Sequence, residues 1–560
     1  QGYFVYDSKK SGSQTVSHLR FGRRPIRSAY LVQQANFVGC HQFGFVGKTD
    51  VLRLAAEGAV FLLNSPYGAD AVWDQLPEDV RRQIVGKRLR FHVIDAFRVA
   101  KTAGLGQRIN TIMQVAFFKL SGVLPPEEAI ERIKAAIRKT YGRKGATIVA
   151  ANLEAVDRAA AAVQAVVPPE APGRPRDAEP VVDPAAPEFV REVTARMIAG
   201  RGDELPVSAL PADGTWPVGT SAWERRDLSR VIPVWEPDLC IQCGNCSLVC
   251  PHGVIRSRFY DAGALEGAPE GFRSAALAGR GYPDARYTLQ VVADHCTGCT
   301  LCVDACPVRA PDRPGVRAIN MADKQPLLEA ERERLAFFNT LPRPDRGRVD
   351  FSTVRGVQHL DPLFQFSGAC AGCGETPYVK LVSQLFGDRA IIANATGCSS
   401  IYGGNLPTTP WSANEEGRGP AWSNSLFEDN AEFGFGFRLS ADTHRQQAEA
   451  LVEKLRDDIG EELADGLLAA EQVSESGIRA QRLRVAVLRQ RLAALEAPAA
   501  RELDSLAEHL VRRSVWIMGG DGWAYDIGYG GLDHVLSMGR DVNILVLDTE
   551  VYSNTGGQVS

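Results

Sequence analysis

The sequence predicts an α/β multidomain protein in which a small α+β domain lies between two α/β domains. Three observations lead to this prediction. Strand-like and helical patterns alternate in the first part of the chain, two cysteine-rich runs lie near its middle, and apolar strands lead into glycine-rich loops near its end. The chain has 560 residues, more than one domain usually contains, and its 45% apolar and 23% charged residues are typical of a globular protein.

The first predicted α/β domain covers residues 1–165. The apolar runs 59–63 and 90–94 are typical of strands, and the stretch 127–138 is typical of a helix. From Val166 to Pro187 the composition changes to proline and alanine. Because proline disrupts helices and central strands, residues 166–230 are predicted to be a linker and a short connecting segment.

Eight of the twelve cysteines lie in two copies of one spacing within the next predicted domain, residues 231–343. Each copy reads C-x2-C-x2-C-x3-C-P, the run that holds 4Fe-4S clusters in bacterial two-cluster ferredoxins, where the fourth cysteine of each run binds the other cluster. The predicted ligands of cluster one are Cys240, Cys243, Cys246 and Cys306. Those of cluster two are Cys296, Cys299, Cys302 and Cys250. The pattern predicts a two-cluster ferredoxin-like α+β domain. Two zinc knuckles are the alternative, but zinc needs neither the third cysteine nor the Cys-Pro.

The last predicted domain covers residues 344–560 and contains a charged helical stretch at about 441–512. Leu451, Leu455, Ile459 and Leu463 recur at steps of four on one face of this stretch. It could be a helix pair that binds a partner, or an antiparallel helical insertion that packs on its own domain. We expect the insertion.

A third set of cysteines, Cys370, Cys373 and Cys398, lies in this last domain. A 4Fe-4S cluster needs four ligands, and the missing one could lie beyond Ser560, whereas a histidine could complete a zinc site. Cys40 is alone in its domain, and we expect it to be a small buried apolar residue.

A Gly-Asp-Gly sequence, residues 520–522, follows the apolar run 515–517, and a second strand-like run, 543–548, leads into Thr549. Glycines allow the backbone to approach a diphosphate closely, and the Asp521 carboxylate could bind the Mg²⁺ that neutralises it. The spacing from Gly522 to Thr549 resembles the thiamine diphosphate fold, in which Asn is usual where this chain has Thr549. The alternative is an ordinary α/β turn.

The overall charge and hydropathy give no sign of a nucleic-acid-binding or membrane protein, and we expect a cytoplasmic protein. The net charge of −4 gives no reason to expect nucleic acid or an anionic membrane as a partner, and no apolar run is long enough to span a bilayer. Cysteines that serve as cluster ligands need a reducing compartment. Both ends look cut, so we expect an internal fragment of a longer protein.

Taken together, these motifs closely resemble those of pyruvate:ferredoxin (flavodoxin) oxidoreductase, and the likeness extends over the whole chain. Stretches 6–12, 61–67 and 415–429 also resemble that family. The resemblance implies oxidative decarboxylation of pyruvate with coenzyme A to acetyl-CoA and CO2. Electrons would pass through three 4Fe-4S clusters to ferredoxin or flavodoxin, and the enzyme would be a homodimer. The family's pyrimidine-binding domain is missing from this stretch, so we expect it to be inactive alone.

The resemblance also implies roles for individual residues. Cys370, Cys373 and Cys398 would bind the proximal cluster, with the fourth ligand beyond Ser560. Asp521, Thr549 and the Val551 carbonyl would bind Mg²⁺, and Asn554 and Cys398 would be catalytic. The residues around thiamine diphosphate would be Glu375, Cys398, Gly520, Asp521, Gly522, Trp523, Thr549, Glu550, Val551, Tyr552, Ser553 and Asn554. The first domain resembles the coenzyme A-binding domain, with Lys9, Asn110 and Asn152 as contacts.

Three other functions remain open at this point. One is a 2-oxoacid:ferredoxin oxidoreductase acting on 2-oxoglutarate or a branched substrate. Another is a polyferredoxin-type electron carrier without catalysis, which would not need the diphosphate loop. The third is a structural zinc protein, which would lack visible absorbance. Magnesium-dependent binding of thiamine diphosphate separates the enzyme from the carrier.

Overall fold

The computed structural model describes residues 1–5, 9–27, 30–171, 180–278 and 284–559, without the side chains of Asn554 and Val559. The chain divides into two compact units. One unit contains Gln1–Asp7 and Gln14–Ala212, and the other contains Ser8–Ser13 and Asp213–Ser560. Residues 6–8 of the stretch 6–12 lie outside the described residues. No helix within the described ranges combines the length and the apolar character needed to cross a membrane.

The first unit is built on a four-stranded sheet in the order β3-β4-β5-β6. Strands β3, β4 and β5 are parallel, β6 is antiparallel, and β1 and β2 form a separate antiparallel pair. The strands are β1 Gly2–Val5, β2 Val16–Leu19, β3 Ala35–Cys40, β4 Ala55–Asn64, β5 Arg90–Ile94 and β6 Gln164–Ala165. The helices are α1 Glu78–Gly86, α2 Ala96–Thr102, α3 Asn110–Ser121, α4 Pro126–Tyr141, α5 Ala146–Ala162 and α6 Ala195–Ile198. The predicted strands 59–63 and 90–94 and the predicted helix 127–138 are confirmed by β4, β5 and α4.

The cysteine-rich part of the second unit is an α+β arrangement of short elements. Its strands are β7 Val231–Trp235, β8 Ile255–Asp261, β9 Ala275–Ala276, β10 Ala285–Val291 and β11 Ile319–Asp323. Its helices are α7 Asn245–Leu248, α8 Leu301–Asp304 and α9 Leu328–Thr340. Strand β7 pairs antiparallel with β11, and β10 lies between β8 and β9. The apolar core of this part includes four of the eight cysteines, Cys250, Cys296, Cys302 and Cys306.

The remainder of the second unit is built on a parallel sheet in the order β13-β12-β14-β15. Its strands are β12 Ala390–Asn394, β13 Ala421–Asn424, β14 Ser514–Gly520, β15 Asn543–Leu547, β16 Val551–Tyr552 and β17 Gln558–Val559. The helices are α10 Val354–Val357, α11 Thr376–Phe386, α12 Cys398–Gly404, α13 Asn430–Lys454, α14 Arg456–Ile459, α15 Glu461–Leu468, α16 Glu475–Leu492, α17 Pro498–Leu506 and α18 Tyr529–Ser537. In a parallel sheet the carboxyl ends of the strands meet at one edge, so the loops after β12, β14 and β15 come together.

The helical stretch between β13 and β14 packs on its own domain. Leu451, Leu455, Ile459 and Leu463 share one buried apolar cluster with residues of α16 and α17. Arg482 of α16 also binds Asp388 with a nitrogen-oxygen distance of 2.8 Å. Neighbouring helices of the same unit cover the apolar face, which is the packing expected of a helical insertion.

Candidate functional site

The two cysteine runs share the same backbone geometry. Residue Gln242 of the first run and Gly298 of the second have left-handed backbones, with φ of 58° and 67°. The amide of Gln242 donates to the Cys240 sulfur at 3.3 Å, and the amide of Gly298 donates to the Cys296 sulfur at 3.4 Å. Amide donors of this kind stabilise a thiolate, so both loops are shaped around a negatively charged sulfur.

A second pair of equivalent positions in the two runs also shares one backbone conformation. Gly244 and Thr300 precede helices α7 and α8 and also have left-handed backbones, with φ of 80° and 70°. For a residue with a side chain this conformation costs roughly 1–2 kcal/mol. Thr300 adopts it at the position where the other run has glycine, which indicates that the loop geometry itself is required.

The first predicted ligand set is brought together. Burial, together with the neighbouring thiolates of Cys240, Cys243 and Cys306, raises the pKa of Cys246 to about 12. Cys306 comes from the second run and lies near Cys246 of the first, as the predicted exchange of fourth cysteines requires. Cysteine thiolates are the ligands of a 4Fe-4S cluster, and the four residues therefore fit such a group.

The second predicted set is also brought together. Burial raises the pKa of Cys302, and the thiolates of Cys250, Cys296 and Cys299 raise it further. All four cysteines line one recess with about 320 Å³ of empty space, part of which is open to solvent. Thr300 and Met321 lie on the same recess. Four thiolates around one recess fit a 4Fe-4S cluster.

The third set of cysteines is assembled from two loops. Cys370 and Cys373 precede α11, and Cys398 is the first residue of α12, at the carboxyl end of β12. Burial raises the pKa of Cys398, and among the neighbouring anions are the thiolates of Cys373 and Cys370. Within the described residues, no three His, Cys, Asp or Glu side chains are grouped closely enough to hold a single metal ion.

The third set lies directly against the second. The backbone amide of Gly372 donates to the Cys299 thiol and favours its thiolate. A Cβ placed on Gly372 would lie 3.9 Å from the Cβ of Cys299. A group bound at the third set would therefore be next to a group bound at the second.

The loop before Cys370 is held by the segment that follows residue 8. The amides of Lys10 and Ser11 donate to the Gly368 carbonyl at 2.7 and 3.1 Å. The hydroxyl of Ser11 donates to the Ala369 carbonyl at 2.5 Å. Gly368 is needed for this approach, because an added Cβ would lie 2.6 Å from Lys9 Cγ.

The three residues predicted to contact coenzyme A lie in different surroundings. Lys9 belongs to the second unit, is 6% exposed, and donates to both carboxylate oxygens of Glu224 at 2.7 Å. Asn110 and Asn152 belong to the first unit. Asn110 is exposed as the first residue of α3, whereas Asn152 is buried and donates to the Ile148 carbonyl within α5 at 2.8 Å. The Lys9 ammonium thus has an anionic partner within its own unit, and its contact with coenzyme A stays a prediction.

The predicted Mg²⁺ ligands lie after neighbouring strands. Asp521 follows β14 directly and is 2% exposed. Thr549 follows β15, and its hydroxyl donates to the Val551 carbonyl at 3.0 Å. Carboxylate, hydroxyl and carbonyl oxygens are the hard ligands that Mg²⁺ prefers, so these residues fit the ion by type.

Glu375 is a half-buried carboxyl beside this edge. Burial raises its pKa, the Asp521 carboxylate raises it too, and a hydrogen bond from the Tyr402 hydroxyl at 2.9 Å opposes the shift. Carboxyls whose pKa is raised by burial and by a neighbouring charge are common at functional sites. Tyr402 is the partner that the sequence did not reveal, because nothing in its local pattern indicates a contact with a residue 27 positions earlier.

The loop after β15 touches both the Gly-Asp-Gly turn and the third cysteine set. The hydroxyl of Ser553 lies 3.1 Å from the Cys398 sulfur. A Cβ on Gly522 would lie 2.3 Å from the Tyr552 ring, so the loop can approach this closely only over glycine. Glu550 has a left-handed backbone, with φ of 59°, and its amide donates to Asp548 at 2.9 Å.

Two other predicted residues of this site, Gly520 and Trp523, lie on either side of Asp521 and Gly522. Gly520 is the last residue of β14. Trp523 is fully buried in an apolar cluster beneath the turn. The side chain of Asn554 lies outside the described residues, so its predicted catalytic role stays a prediction.

Three protein-family models match parts of the chain. Residues 1–162 match pyruvate ferredoxin/flavodoxin oxidoreductase, residues 175–229 match a domain of unknown function named EKR, and residues 239–310 match a 4Fe-4S dicluster domain. The class of protein is therefore an iron-sulfur protein that contains an oxidoreductase domain.

Whole-chain relatives define the class further. A pyruvate-flavodoxin oxidoreductase of Nostoc sp. (strain PCC 7120) is 54% identical over all of this chain and 48% of its own length. A probable pyruvate-flavodoxin oxidoreductase of Escherichia coli K12 is 51% identical, and a pyruvate:ferredoxin oxidoreductase of Moorella thermoacetica is 47% identical, again over the whole chain and 47% and 48% of their lengths. The chain is a homologue of the pyruvate-flavodoxin oxidoreductases over its whole length. It spans about half the length of the curated relatives it matches.

A solved structure of a pyruvate oxidoreductase subunit from Thermotoga maritima covers 24% of this chain and 66% of its own at 20% identity. Its TM-score of 0.20 is too low to support an argument.

Proposed function

We propose that this chain takes part in the oxidative decarboxylation of pyruvate, with coenzyme A as acetyl acceptor and ferredoxin or flavodoxin as electron acceptor. The observation that carries this proposal is the position of the third cysteine set. It touches the loop after β15 through Ser553 and the second cysteine set through Gly372. An electron source at the diphosphate edge would thus be connected to the dicluster part of the chain.

In this proposal the carboxyl edge of the parallel sheet holds thiamine diphosphate and Mg²⁺. When bound, thiamine diphosphate supplies the electron sink that lets a 2-oxoacid lose CO2. Asp521, Thr549 and the Val551 carbonyl would hold the ion. Glu375, a carboxyl whose pKa is raised by burial, would lie close to the cofactor.

Three 4Fe-4S clusters would form the electron path. Cys370, Cys373 and Cys398 would bind the first acceptor, and the sets around Cys302 and Cys246 would follow in that order. The amide of Gly372 on the Cys299 thiolate supports this order, because it puts the second set next to the third. A 4Fe-4S cluster carries one electron at a time, so the two electrons of each pyruvate would leave in separate steps.

The remaining assignments of the sequence analysis complete the proposal. Residues 1–165 would bind coenzyme A, with Lys9, Asn110 and Asn152 as its contacts, and 166–230 would connect them to the ferredoxin-like domain at 231–343. Residues 344–560 would form the cofactor-binding domain, with Asn554 and Cys398 in catalysis. The protein would be a cytoplasmic homodimer that binds neither nucleic acid nor membranes.

The test is a count of iron and acid-labile sulfide per chain in anaerobically purified full-length protein, together with electron paramagnetic resonance during addition of pyruvate and then coenzyme A. About twelve irons and a pyruvate-dependent signal are expected for three clusters. About eight irons and no response to pyruvate would instead indicate a two-cluster electron carrier. A response to another 2-oxoacid alone would change the substrate and keep the reaction class.

A further inference from the structure

A lysine of the cofactor-binding part of the chain is buried against the first cysteine run. Lys380 lies on α11, the helix that follows Cys373, and is 3% exposed. Its ammonium donates to the carbonyl oxygen of Ser247, the residue after Cys246. A Cβ on Gly253 would lie 3.5 Å from its Cδ. The side chain therefore runs along the stretch from Ser247 to Gly253, which contains Cys250, the fourth cysteine of this run.

The anionic groups that face this ammonium are cysteine thiolates. Burial lowers the pKa of Lys380 to about 8, whereas the thiolates of Cys250 and Cys246 favour its charged form. The guanidinium of Arg256 lies close enough to oppose that charge. Among the described residues, no carboxylate forms an ion pair with Lys380.

The carboxylate that shares a recess with Lys380 is engaged by arginines. Asp361 lines the same recess, and its oxygens lie 3.0 Å from a nitrogen of Arg258, 2.7 Å from one of Arg343 and 3.8 Å from one of Arg256. Burying an ammonium without an anionic partner costs several kcal/mol. The neighbouring anions that favour a charged Lys380 are the thiolates of Cys250 and Cys246.

Cys246 belongs to the first ligand set and Cys250 to the second. We propose that Lys380 is a positioning residue for electron transfer: it holds a positive charge where the two clusters of the dicluster part meet and raises the reduction potential of both. This inference rests on the proposed presence of those clusters. The step transfers one electron: the donor cluster loses one electron and the acceptor cluster gains it. A nearby cation stabilises the more negative, reduced state of either cluster, and net charge is one of the factors that set cluster potentials.

The test is a redox titration of the clusters by electron paramagnetic resonance in the anaerobically purified full-length protein. Lys380→Met removes the charge and keeps most of the side-chain volume. We expect both dicluster signals to shift to more negative potential, with iron content unchanged. Lys380→Arg retains the charge and should leave both potentials close to wild type. Lys454→Met is the control, because it removes an exposed lysine at the end of α13 and should shift neither.

Each outcome decides the inference. Wild-type potentials in Lys380→Met would overturn it. If Lys380→Met loses iron, retained iron in Lys380→Arg would support a role for the charge, whereas loss in both variants would assign Lys380 to packing alone and overturn it. A wild-type protein without iron would contradict the proposed clusters themselves, which is a failure distinct from that of Lys380.

Discussion

The two cysteine-rich regions of this chain, the dicluster part and the third cysteine set, are built in different ways. In the dicluster part, the first three ligands of each set come from one short loop, and Cys250, Cys296, Cys302 and Cys306 are all less than 10% exposed. The third set comes from two loops on different elements, and Cys370 is exposed. Local backbone geometry can preorganise the first kind of site, whereas the second depends on the whole domain being folded.

The largest effect is expected from removing a ligand of the third set, which should lower the iron content of the protein and leave the dicluster part intact. Cys398→Ala should abolish steady pyruvate oxidation in the full-length protein and lower its iron from about twelve to about eight per chain, because one 4Fe-4S cluster is lost. Iron analysis and acetyl-CoA formation measure this. Cys40→Ala is the matched control, since Cys40 is buried far along the chain from the other cysteines and should leave iron unchanged. Wild-type acetyl-CoA formation in Cys398→Ala would reject the third cluster.

Two glycine substitutions test whether the dicluster loops leave less room for an added side chain than the loop of the third set. Gly298→Ala adds a Cβ 2.2 Å from the Ser229 hydroxyl at a left-handed position with φ of 67°. We expect a loss of about 1–3 kcal/mol in stability and of iron from the second set. Gly374→Ala meets no atom within 4 Å and should be tolerated. Unfolding by denaturant and iron content measure both variants, and equal losses would contradict the contrast.

The buried Lys9–Glu224 ion pair supports the loop before Cys370, and we expect the stability that it contributes to be lost in acid. Glu224 is buried, yet the charges of Lys9 and Arg226 lower its pKa to about 2. Its stabilisation is complete above the ordinary value of 4.5 and is lost as the pH falls toward 2. Removing one partner of a buried pair costs about 3–5 kcal/mol, so Glu224→Gln should be destabilised by up to that amount at neutral pH.

Measuring the free energy of unfolding from pH 7 to pH 2 tests the role of this ion pair. The difference in that free energy between wild type and Glu224→Gln should shrink below the ordinary carboxyl pKa. Iron loss in Glu224→Gln should begin with the third set, because Lys9 to Ser11 hold the loop before Cys370. Glu204→Gln, which removes an exposed partner of Arg201, is the control and should show no measurable change. A difference that stays constant down to pH 2 would contradict the assignment.

The smallest effect is expected at the contact between the cofactor edge and the third set. Ser553→Ala removes a hydroxyl that lies 3.1 Å from the Cys398 sulfur. A single hydrogen bond contributes about 0.5–1.5 kcal/mol, so we expect a small shift of the third-cluster signal and none in the dicluster signals. Redox titration measures the shift. Ser537→Ala removes an exposed hydroxyl of α18 and serves as the control. A change confined to the dicluster signals would contradict the predicted effect of Ser553 on the third set.

Much of this architecture could be predicted because its signals are local. The C-x2-C-x2-C-x3-C-P runs predict the two loops, and they also predict the exchange of Cys250 and Cys306 between the ligand sets. The strands β4, β5, β14 and β15 follow from short apolar runs. The periodicity of Leu451, Leu455, Ile459 and Leu463 likewise indicated the buried face of the helical insertion.

The sequence by itself determined which residues could bind metal and where the strands would lie, because both depend on neighbours within a few positions. Only the tertiary structure decided which distant groups meet. It paired Lys9 with Glu224, set Tyr402 on Glu375 and buried Lys380 against Ser247. A lone lysine or tyrosine has no periodic or spacing signal, and its role depends on a partner that chain folding brings near. The burial that makes such a pair strong is likewise a property of the folded protein.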